Sequence, residues 1–295
     1  MFLANETLDL INASLEADGG IAYRTTLEKV LPTVADAYSS EGNEFRTHLG
    51  ASVLGNKCSR AIWYGFRWVH KPKFEGRILR LFNRGHLEEG RVIALLLSAG
   101  IEVWSTSPDG KQFRITANGG HVGGSLDGVG RGIPELGKVP FLLEYKTHND
   151  KSFTSLTTQG VAVSKPEHFV QMQLYMDKMG LGWALYIAVN KNTDHIHAEI
   201  VQAFPDFAAS QFDRAADIVY SPVPLPKLNK SPGWYECRFC DFVNVCHNGT
   251  APEVNCRTCE FSVPEPNGTW ICRRTIEVLD KKKQLEGCGD YRRLI

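Results

Sequence analysis

The eight cysteines of the chain constrain its fold more than any other feature of the sequence. Cys58 stands alone in the first half, whereas the other seven lie in the last fifth of the chain, at positions 237, 240, 246, 256, 259, 272 and 288. The acidic start MFLANETLDLINASLEADGG lacks the basic segment of a secretory signal, so we expect a cytoplasmic protein. Cysteines crowded in this way in a reducing compartment indicate metal ligation rather than disulfide bonds.

The composition is that of an ordinary globular protein with one large domain, or with one domain and a small added module. The chain has 295 residues, of which 43% are hydrophobic and 22% are charged, and its formal net charge is +0. A nucleic-acid partner would therefore need a local basic groove. The longest central apolar run, VIALLLSAGIEVW, is too short and too interrupted to span a bilayer, so we expect no membrane partner.

Hydrophobic periodicity, together with the positions of proline and glycine, predicts alternating helices and strands. The N-terminal region, residues 1–57, is predicted to be helical, with Pro32 starting or kinking one helix. Further helices are predicted at 58–69, 83–100, 165–180 and 205–220, and strands at 101–106, 111–117, 121–130, 138–147, 183–190 and 195–203. This order predicts an α/β fold with a central mixed β-sheet flanked by helices.

The predicted strand 138–147 carries two opposite charges within an apolar run. Glu144 and Lys146 are two positions apart and so point to the same face of the strand. Asp127, in GGSLDGVG, is flanked by glycines near the end of the preceding strand, where a ligand can approach the backbone. Asp127, Glu144 and the Tyr145 carbonyl could together hold one divalent cation. The alternatives are a turn aspartate and a simple ion pair.

Two further motifs flank these strands in the sequence. RGHLEE, in the predicted helix upstream, contains His86 and Glu89, and QMQLY, downstream, contains Gln171 and Tyr175 one helical turn apart. With Gly-x-x-Asp and Glu-x-Lys between them, the chain resembles the PD-(D/E)xK nuclease superfamily, in particular its RecB-type and lambda-exonuclease-type members. Each residue alone also has an ordinary structural explanation, as an exposed helix position or a core aromatic residue.

The resemblance implies a restriction-endonuclease-like core and a Mg²⁺- or Mn²⁺-dependent DNA exonuclease of recombination, repair or replication. His86 or Glu89 would complete the ligands of the cation, and Lys146 would position the attacking water. Gln171 and Tyr175 would hold the strand near the scissile phosphate. The compact size suggests a stand-alone enzyme, for example of a bacteriophage acting in the host cytoplasm, that could work with a recombination or replication protein. The alternatives are a non-catalytic DNA-binding or assembly subunit and an RNA-processing nuclease.

The first cysteine set combines distant parts of the chain. Cys237, Cys240 and Cys246 need a fourth partner for a four-thiolate site, and Cys58 lies before the predicted core. This split resembles the iron–sulfur branch of RecB-type nucleases, which includes the AddB-type and the CRISPR-adaptation nucleases. The resemblance implies a [4Fe-4S] cluster on these four residues. A zinc ion on the same thiolates is the alternative, because tetrahedral sulfur sites suit either metal.

The final segment predicts a second four-thiolate site. Cys256-x2-Cys259 is followed by Cys272 and Cys288, and so short a segment would take its folding energy from a metal, for which zinc is the first candidate. Its basic residues either contact DNA phosphates or form a solvated face. The predicted domains are an N-terminal helical region (1–57), a nuclease core closed by the cluster (58–250) and a small zinc-binding module (251–295).

Overall fold

The computed structural model describes residues 1–38 and 45–295. Within these ranges the helices are α1 (Asn5–Asp18), α2 (Ile21–Val30), α3 (Ala35–Tyr38), α4 (Ser59–Phe66), α5 (Gly76–Ser98), α6 (Asp150–Gln159), α7 (Val161–Ser164), α8 (Pro166–Met179), α9 (Pro205–Tyr220), α10 (Tyr235–Arg238), α11 (Val243–His247) and α12 (Lys281–Glu286). The strands are β1 (Phe2–Leu3), β2 (Leu49–Gly50), β3 (Glu102–Trp104), β4 (Arg114–Ala117), β5 (Val122–Ser125), β6 (Gly128–Arg131), β7 (Phe141–His148), β8 (Trp183–Asn190), β9 (Ile196–Gln202), β10 (Ser262–Pro264), β11 (Trp270–Cys272) and β12 (Glu277–Val278). None of the helices described is both long enough and apolar enough to cross a membrane.

The chain divides into two compact units, each built from three segments. The first unit comprises Met1–Gly42, Phe74–Ile115 and Ser125–Pro205, and the second comprises Asn43–Lys73, Thr116–Gly124 and Asp206–Ile295. The central sheet belongs to the first unit. The cysteines all fall in the second unit.

A six-stranded mixed sheet, in the order β1-β9-β8-β7-β6-β3, organises the first unit. β7 runs parallel to β8, and the other neighbouring strands are antiparallel. On one face of the sheet, Ile11 of α1 and Ile93 of α5 share a core with Leu143 of β7. On the other face, α8 brings Gln171 to Glu144. The prediction of an α/β fold with a central mixed sheet flanked by helices is therefore confirmed.

Several predicted elements have the predicted bounds because their signals are local. α9 and β8 coincide with the prediction, and α8 begins at Pro166 and ends before Gly180, whose φ of 65° is left-handed. The predicted strand 121–130 is instead two strands, β5 and β6, separated by Leu126 and Asp127. That break places the Asp127 carboxylate at the start of β6.

The N-terminal region is less helical than predicted. Phe2–Leu3 forms β1 and pairs with β9, and Leu49–Gly50 forms β2 and pairs with β5. Such pairings depend on partners far away in sequence, so helical periodicity does not reveal them. The part of the prediction that covers residues 39–44 lies outside the described residues.

In the second unit, two buried arginines hold the C-terminal segment against residues 46–69. Arg67 and Arg257 are each 1% exposed. Arg67 donates to the Ser262 carbonyl at 2.9 Å, and Arg257 donates to the Phe66 carbonyl at 2.8 Å. The Arg257 guanidinium also lies 4.0 Å from the ring centroid of Trp68, a cation–π contact. The segment therefore has protein contacts of its own in addition to its thiols.

Candidate active site

The hairpin of β6 and β7 places Asp127 beside the charged strand. Asp127 immediately precedes β6, which pairs with β7 so that Gly128 lies opposite Leu143. The Asp127 carboxylate accepts a hydrogen bond from the backbone N–H of Tyr145 at 2.8 Å. A Cβ at position 128 would lie 2.8 Å from the Trp104 carbonyl oxygen, so this position needs glycine. The Asp-Gly sequence thus lets β3 approach directly behind the carboxylate.

Glu144 and Lys146 form an ion pair on the face of β7 that α8 covers. The side chain of Glu144 is 0% exposed, whereas that of Lys146 is 27% exposed. Burial lowers the pKa of Lys146, but the carboxylates of Glu144 and Asp127 outweigh this effect and raise the pKa above its ordinary value. Lys146 is therefore a permanent ammonium in this arrangement. It can orient water or an anion, but it cannot accept a proton.

The carboxylates of Asp127, Glu144 and Glu89 concentrate negative charge at this site. Burial raises the pKa of Asp127 well above its ordinary value, and the charges of Glu144 and Glu89 add to that effect. Burial also raises the pKa of Glu144, against the opposing effect of Lys146. A divalent cation with hard-ligand preference, such as Mg²⁺, would relieve this mutual repulsion.

Helix α5 brings His86 and Glu89 to the carboxylates. His86 Nδ1 lies 3.6 Å from Glu89 Oε1. The Glu89 carboxylate raises the pKa of His86 against the effect of burial, and Asp127 contributes in the same direction. His86 Nδ1 and the Tyr145 hydroxyl oxygen are buried without a hydrogen-bond partner among the residues described. Buried polar atoms that lack a hydrogen-bond partner and lie beside three carboxylates fit a site that binds a hydrated cation.

Helix α8 places Gln171 and Tyr175 next to Glu144. Gln171 Nε2 donates to Glu144 Oε2 at 3.3 Å and to the Tyr175 hydroxyl at 3.4 Å. Both side chains are buried, since their four-residue spacing puts them on the face of α8 that packs on β7. Burial, followed by the charge of Glu144, raises the pKa of Tyr175, which therefore remains a neutral hydroxyl. Lys146 and Gln171 thus contact the two different oxygens of Glu144.

Three residues without a predicted role extend this polar face. Tyr186 lies opposite Glu144 in the register of β7 and β8. Its hydroxyl oxygen is 2.9 Å from His148 Nε2 and 2.9 Å from His168 Nδ1. Burial, with neighbouring lysine charges, lowers the pKa of His148 to about 4 and that of His168 to about 2. Both imidazoles are therefore neutral, and the single Tyr186 hydroxyl proton can satisfy one of them while the other donates to the oxygen.

The first cysteine set lies within mutual electrostatic reach in the second unit. After the larger effect of burial, the charges of Cys58 and Cys246 raise the pKa of both Cys237 and Cys240. The Cys240 sulfur also accepts a hydrogen bond from the Phe242 backbone N–H, which favours the thiolate. The thiols in the described part of the chain form no disulfide bond. Thiolate sulfur is the donor that iron–sulfur clusters and zinc ions share.

The second cysteine set is gathered in the same manner. Burial raises the pKa of Cys256 to about 11, and the charges of Cys288, Cys259 and Cys272 add to that effect. The pKa of Cys272 is lowered overall, because hydrogen bonds that include those from Thr275 outweigh burial. Across residues 1–38 and 45–295, however, no three His, Cys, Asp or Glu side chains are arranged so that they could hold a metal ion as they stand. The thiols and carboxylates thus lie near one another, but among the residues described they do not form a complete set of metal ligands.

Comparison with known proteins gives only distant likenesses. No protein-family model matches the chain, and no curated protein matches it. Among solved structures it is similar to SSO0001, with 16% identity and a TM-score of 0.43 over 74% of this chain and 95% of that one. It is also similar to the alkaline exonuclease LHK-Exo of Laribacter hongkongensis, including its complex with dAMP, with 15% identity and a TM-score of 0.40 over 65% of this chain and 90% of that one. Similarity at this level assigns the chain neither to a family nor to an activity.

Proposed function

We propose that the chain is a Mg²⁺- or Mn²⁺-dependent nuclease that hydrolyses phosphodiester bonds of DNA, as an exonuclease in recombination, repair or replication. The observation that carries the proposal is the grouping of the Asp127 and Glu144 carboxylates with the Lys146 ammonium on neighbouring strands. A carboxylate–ammonium pair whose carboxylate is fully buried is weak as a source of stability, because desolvation offsets the attraction between the charges. Metal-dependent hydrolysis of a phosphodiester uses a cation site, and a positive charge near the phosphate offsets the charge that develops on it; this grouping can supply both.

The oxygen donors of the site would hold the catalytic cation. Asp127, Glu144 and the Tyr145 carbonyl are the proposed ligands, with His86 or Glu89 as the further ligand. When bound, the cation supplies Lewis-acid stabilisation of the phosphate oxygens. Two observations support this assignment: the buried polar atoms of His86 and Tyr145 lack hydrogen-bond partners, and the pKa of Asp127 is raised.

Lys146 would orient the attacking water and offset the negative charge that develops on the phosphate. Its ammonium suits this role because it is partly exposed while its partner carboxylate is buried. Gln171 and Tyr175 would keep Glu144 in position and lie along the path of the strand. From the resemblance we expect a product with a 5′-phosphate.

Cleavage of end-labelled nucleic acid tests the proposal. Anaerobically purified protein is incubated with single-stranded DNA, duplex DNA or RNA in Mg²⁺, Mn²⁺ or EDTA, beside the variants Lys146→Ala and Lys151→Ala. Lys151 is the control because it is an exposed lysine on α6. We expect cation-dependent loss of label from DNA, which Lys146→Ala slows by about 100-fold or more and Lys151→Ala leaves unchanged.

The outcomes separate the alternatives. Absence of cleavage of any nucleic acid in every cation refutes the nuclease. Cleavage of RNA alone would indicate an RNA-processing enzyme. Binding of DNA without cleavage would indicate a DNA-binding or assembly subunit.

We also propose two thiolate metal sites in the second unit, supported by the electrostatic grouping of the thiols. A [4Fe-4S] cluster is proposed on the first set and zinc on the second, namely Cys58, Cys237, Cys240 and Cys246, and Cys256, Cys259, Cys272 and Cys288. Iron, sulfide and zinc analysis of anaerobic protein tests both. Cys240→Ser should remove iron and retain zinc, and Cys259→Ser should do the reverse. Zinc at both sets without sulfide would replace the cluster by the zinc alternative.

A further inference from the structure

The beginning of α5 and the residues just before it expose large apolar side chains. Phe74 is 38% exposed, Leu79 is 51% exposed and Phe82 is 44% exposed. The rings of Phe74 and Phe82 pack edge to face, with centroids 5.0 Å apart and an interplanar angle of 82°. Such a concentration of exposed apolar surface in one short segment marks an interaction site more often than scattered single residues do.

This aromatic pair lies on the same side of α5 as the candidate active site. Phe82 precedes His86 by four residues and Glu89 by seven, so the three share one helical face. At 1.5 Å per residue, Phe82 is about 6 Å and about 10 Å along the helix from them. Glu89 in turn interacts electrostatically with Asp127 and Glu144. The exposed ring of Phe82 therefore lies on the helical face that also carries His86 and Glu89.

The same stretch is locally basic in a chain that has no net charge. GRILRLFNRGHL, residues 76–87, contains three arginines and no acidic residue. Arg77, Arg80 and Arg84 are all exposed, and Arg84 also donates to the Lys191 carbonyl at 2.8 Å. A basic segment beside exposed aromatic rings is the combination that attracts a nucleic-acid backbone and receives its bases.

We infer that Phe82, supported by Phe74, stacks on an unpaired base of the DNA strand that enters the candidate active site, while the arginines of α5 attract the backbone. The inference rests on the proposed function and specifies the form of DNA that the enzyme would bind. An aromatic side chain can stack on a base only where the base is unpaired and its face is free, whereas duplex bases already stack on their neighbours. The surface therefore favours single strands and frayed ends over closed duplex.

Binding measurements in Ca²⁺, with single-stranded DNA or covalently closed circular duplex DNA, test this inference without requiring hydrolysis. Phe82→Leu keeps the apolar character but removes the ring, and Phe82→Trp restores a larger ring. Leu97→Ala is the control, because Leu97 is 36% exposed at the far end of the same helix. We expect Phe82→Leu to weaken single-strand binding by about 5- to 150-fold, with duplex binding unchanged and Phe82→Trp at or above wild-type affinity.

Two further readouts make the test specific. Photocrosslinking of 5-iodouracil DNA to the wild-type protein should map to the peptide that contains Phe82. Arg80→Ser should weaken single-strand and duplex binding alike and make the slope of log affinity against log salt less negative by about 0.7 for single strands. This behaviour differs from that of Phe82→Leu, which should leave the slope unchanged.

Three results would overturn the inference: no DNA binding by the wild-type protein, single-strand binding by Phe82→Leu at wild-type strength, or equal losses on single strands and duplex. The proposed function fails independently. If Phe82-dependent binding and crosslinking are present but no cation supports cleavage, the stacking surface stands and the nuclease does not. If DNA is cleaved but Phe82→Leu behaves as wild type, the nuclease stands and the stacking surface does not.

Discussion

Replacing Tyr186 by phenylalanine tests whether its hydroxyl supports the polar face of β7. The change removes one oxygen atom and retains a ring that is 0% exposed. His148 Nε2 and His168 Nδ1 each lose a partner at 2.9 Å. A buried polar group left without a partner costs about 1–3 kcal/mol. His148 is 6% exposed and should bear that cost, whereas His168 is half-buried and can recover water. We therefore expect the free energy of unfolding to fall by about 2 kcal/mol.

Urea unfolding followed by circular dichroism measures this loss. Tyr235→Phe is the control, because Tyr235 is 73% exposed and its change should cost less than about 0.5 kcal/mol. If the chain is a nuclease, kcat should fall more than KM rises in Tyr186→Phe, since His168 no longer ties α8 and its Gln171 to the sheet. Unfolding indistinguishable from wild type would refute the hydrogen-bond reasoning. A loss of stability with unchanged kcat would make the network structural only.

Three further changes have predictable outcomes. Asp127→Asn keeps an acceptor for the Tyr145 N–H but removes one of three neighbouring carboxylate charges, so the thermal midpoint should rise in EDTA and lose its response to Mg²⁺ in a melting assay. Burial lowers the pKa of His148 from 6.5 to about 4. Between these two pH values the unfolded chain therefore binds a proton at His148 that the folded protein does not bind. The contribution of His148 to stability should therefore be complete above about pH 6.5 and fall by about 3 kcal/mol towards pH 4, a fall that His168 steepens because its pKa is lowered in the same direction. His148→Gln should remove its own share of this pH dependence and leave that of His168, as measured by urea titrations at several pH values. Gln171→Leu leaves Glu144 Oε2 without its amide donor and should reduce cation-dependent cleavage by about 10-fold, measured beside Gln159→Leu at the exposed end of α6.

The sequence predicts the parts of the site that depend on local signals. The place of Asp127 among glycines and the two-residue spacing of Glu144 and Lys146 can each be read from a short stretch of sequence, and the hairpin of β6 and β7 brings these residues together. The break in the strand at Leu126 and Asp127 is not predicted. The four-residue spacing of Gln171 and Tyr175 likewise fixes their common face on α8. Their catalytic roles stay predictions, but their proximity follows from strand and helix periodicity.

Other parts depend on tertiary pairing and leave a weak signal or none. His148 follows Lys146 at strand spacing and could have been placed on the same face. Tyr186 could not, because only the parallel register of β7 with β8 sets it opposite Glu144. Helix α6 was also missed, since DKSFTSLTTQ has few apolar residues to show periodicity. Its start is fixed by Asn149, whose side chain accepts the Ser152 N–H at 2.9 Å.

One face of β7 packs into an apolar core and the other carries Glu144 and Lys146, and this arrangement explains why an interior strand can tolerate charge. Leu143 and Tyr145 point into the apolar core shared with α1 and α5. Glu144 and Lys146 point to the opposite face, where desolvation makes them poor contributors to folding. Burial on the first face therefore has to offset charge on the second. Substitutions at Leu143 should then act on stability. Neutralising Glu144 should act on cation binding and cleavage, with stability unchanged or improved in the metal-free protein where charge repulsion is relieved. Removing Lys146 should lower stability as well as cleavage, because it leaves the buried Glu144 carboxylate without its partner.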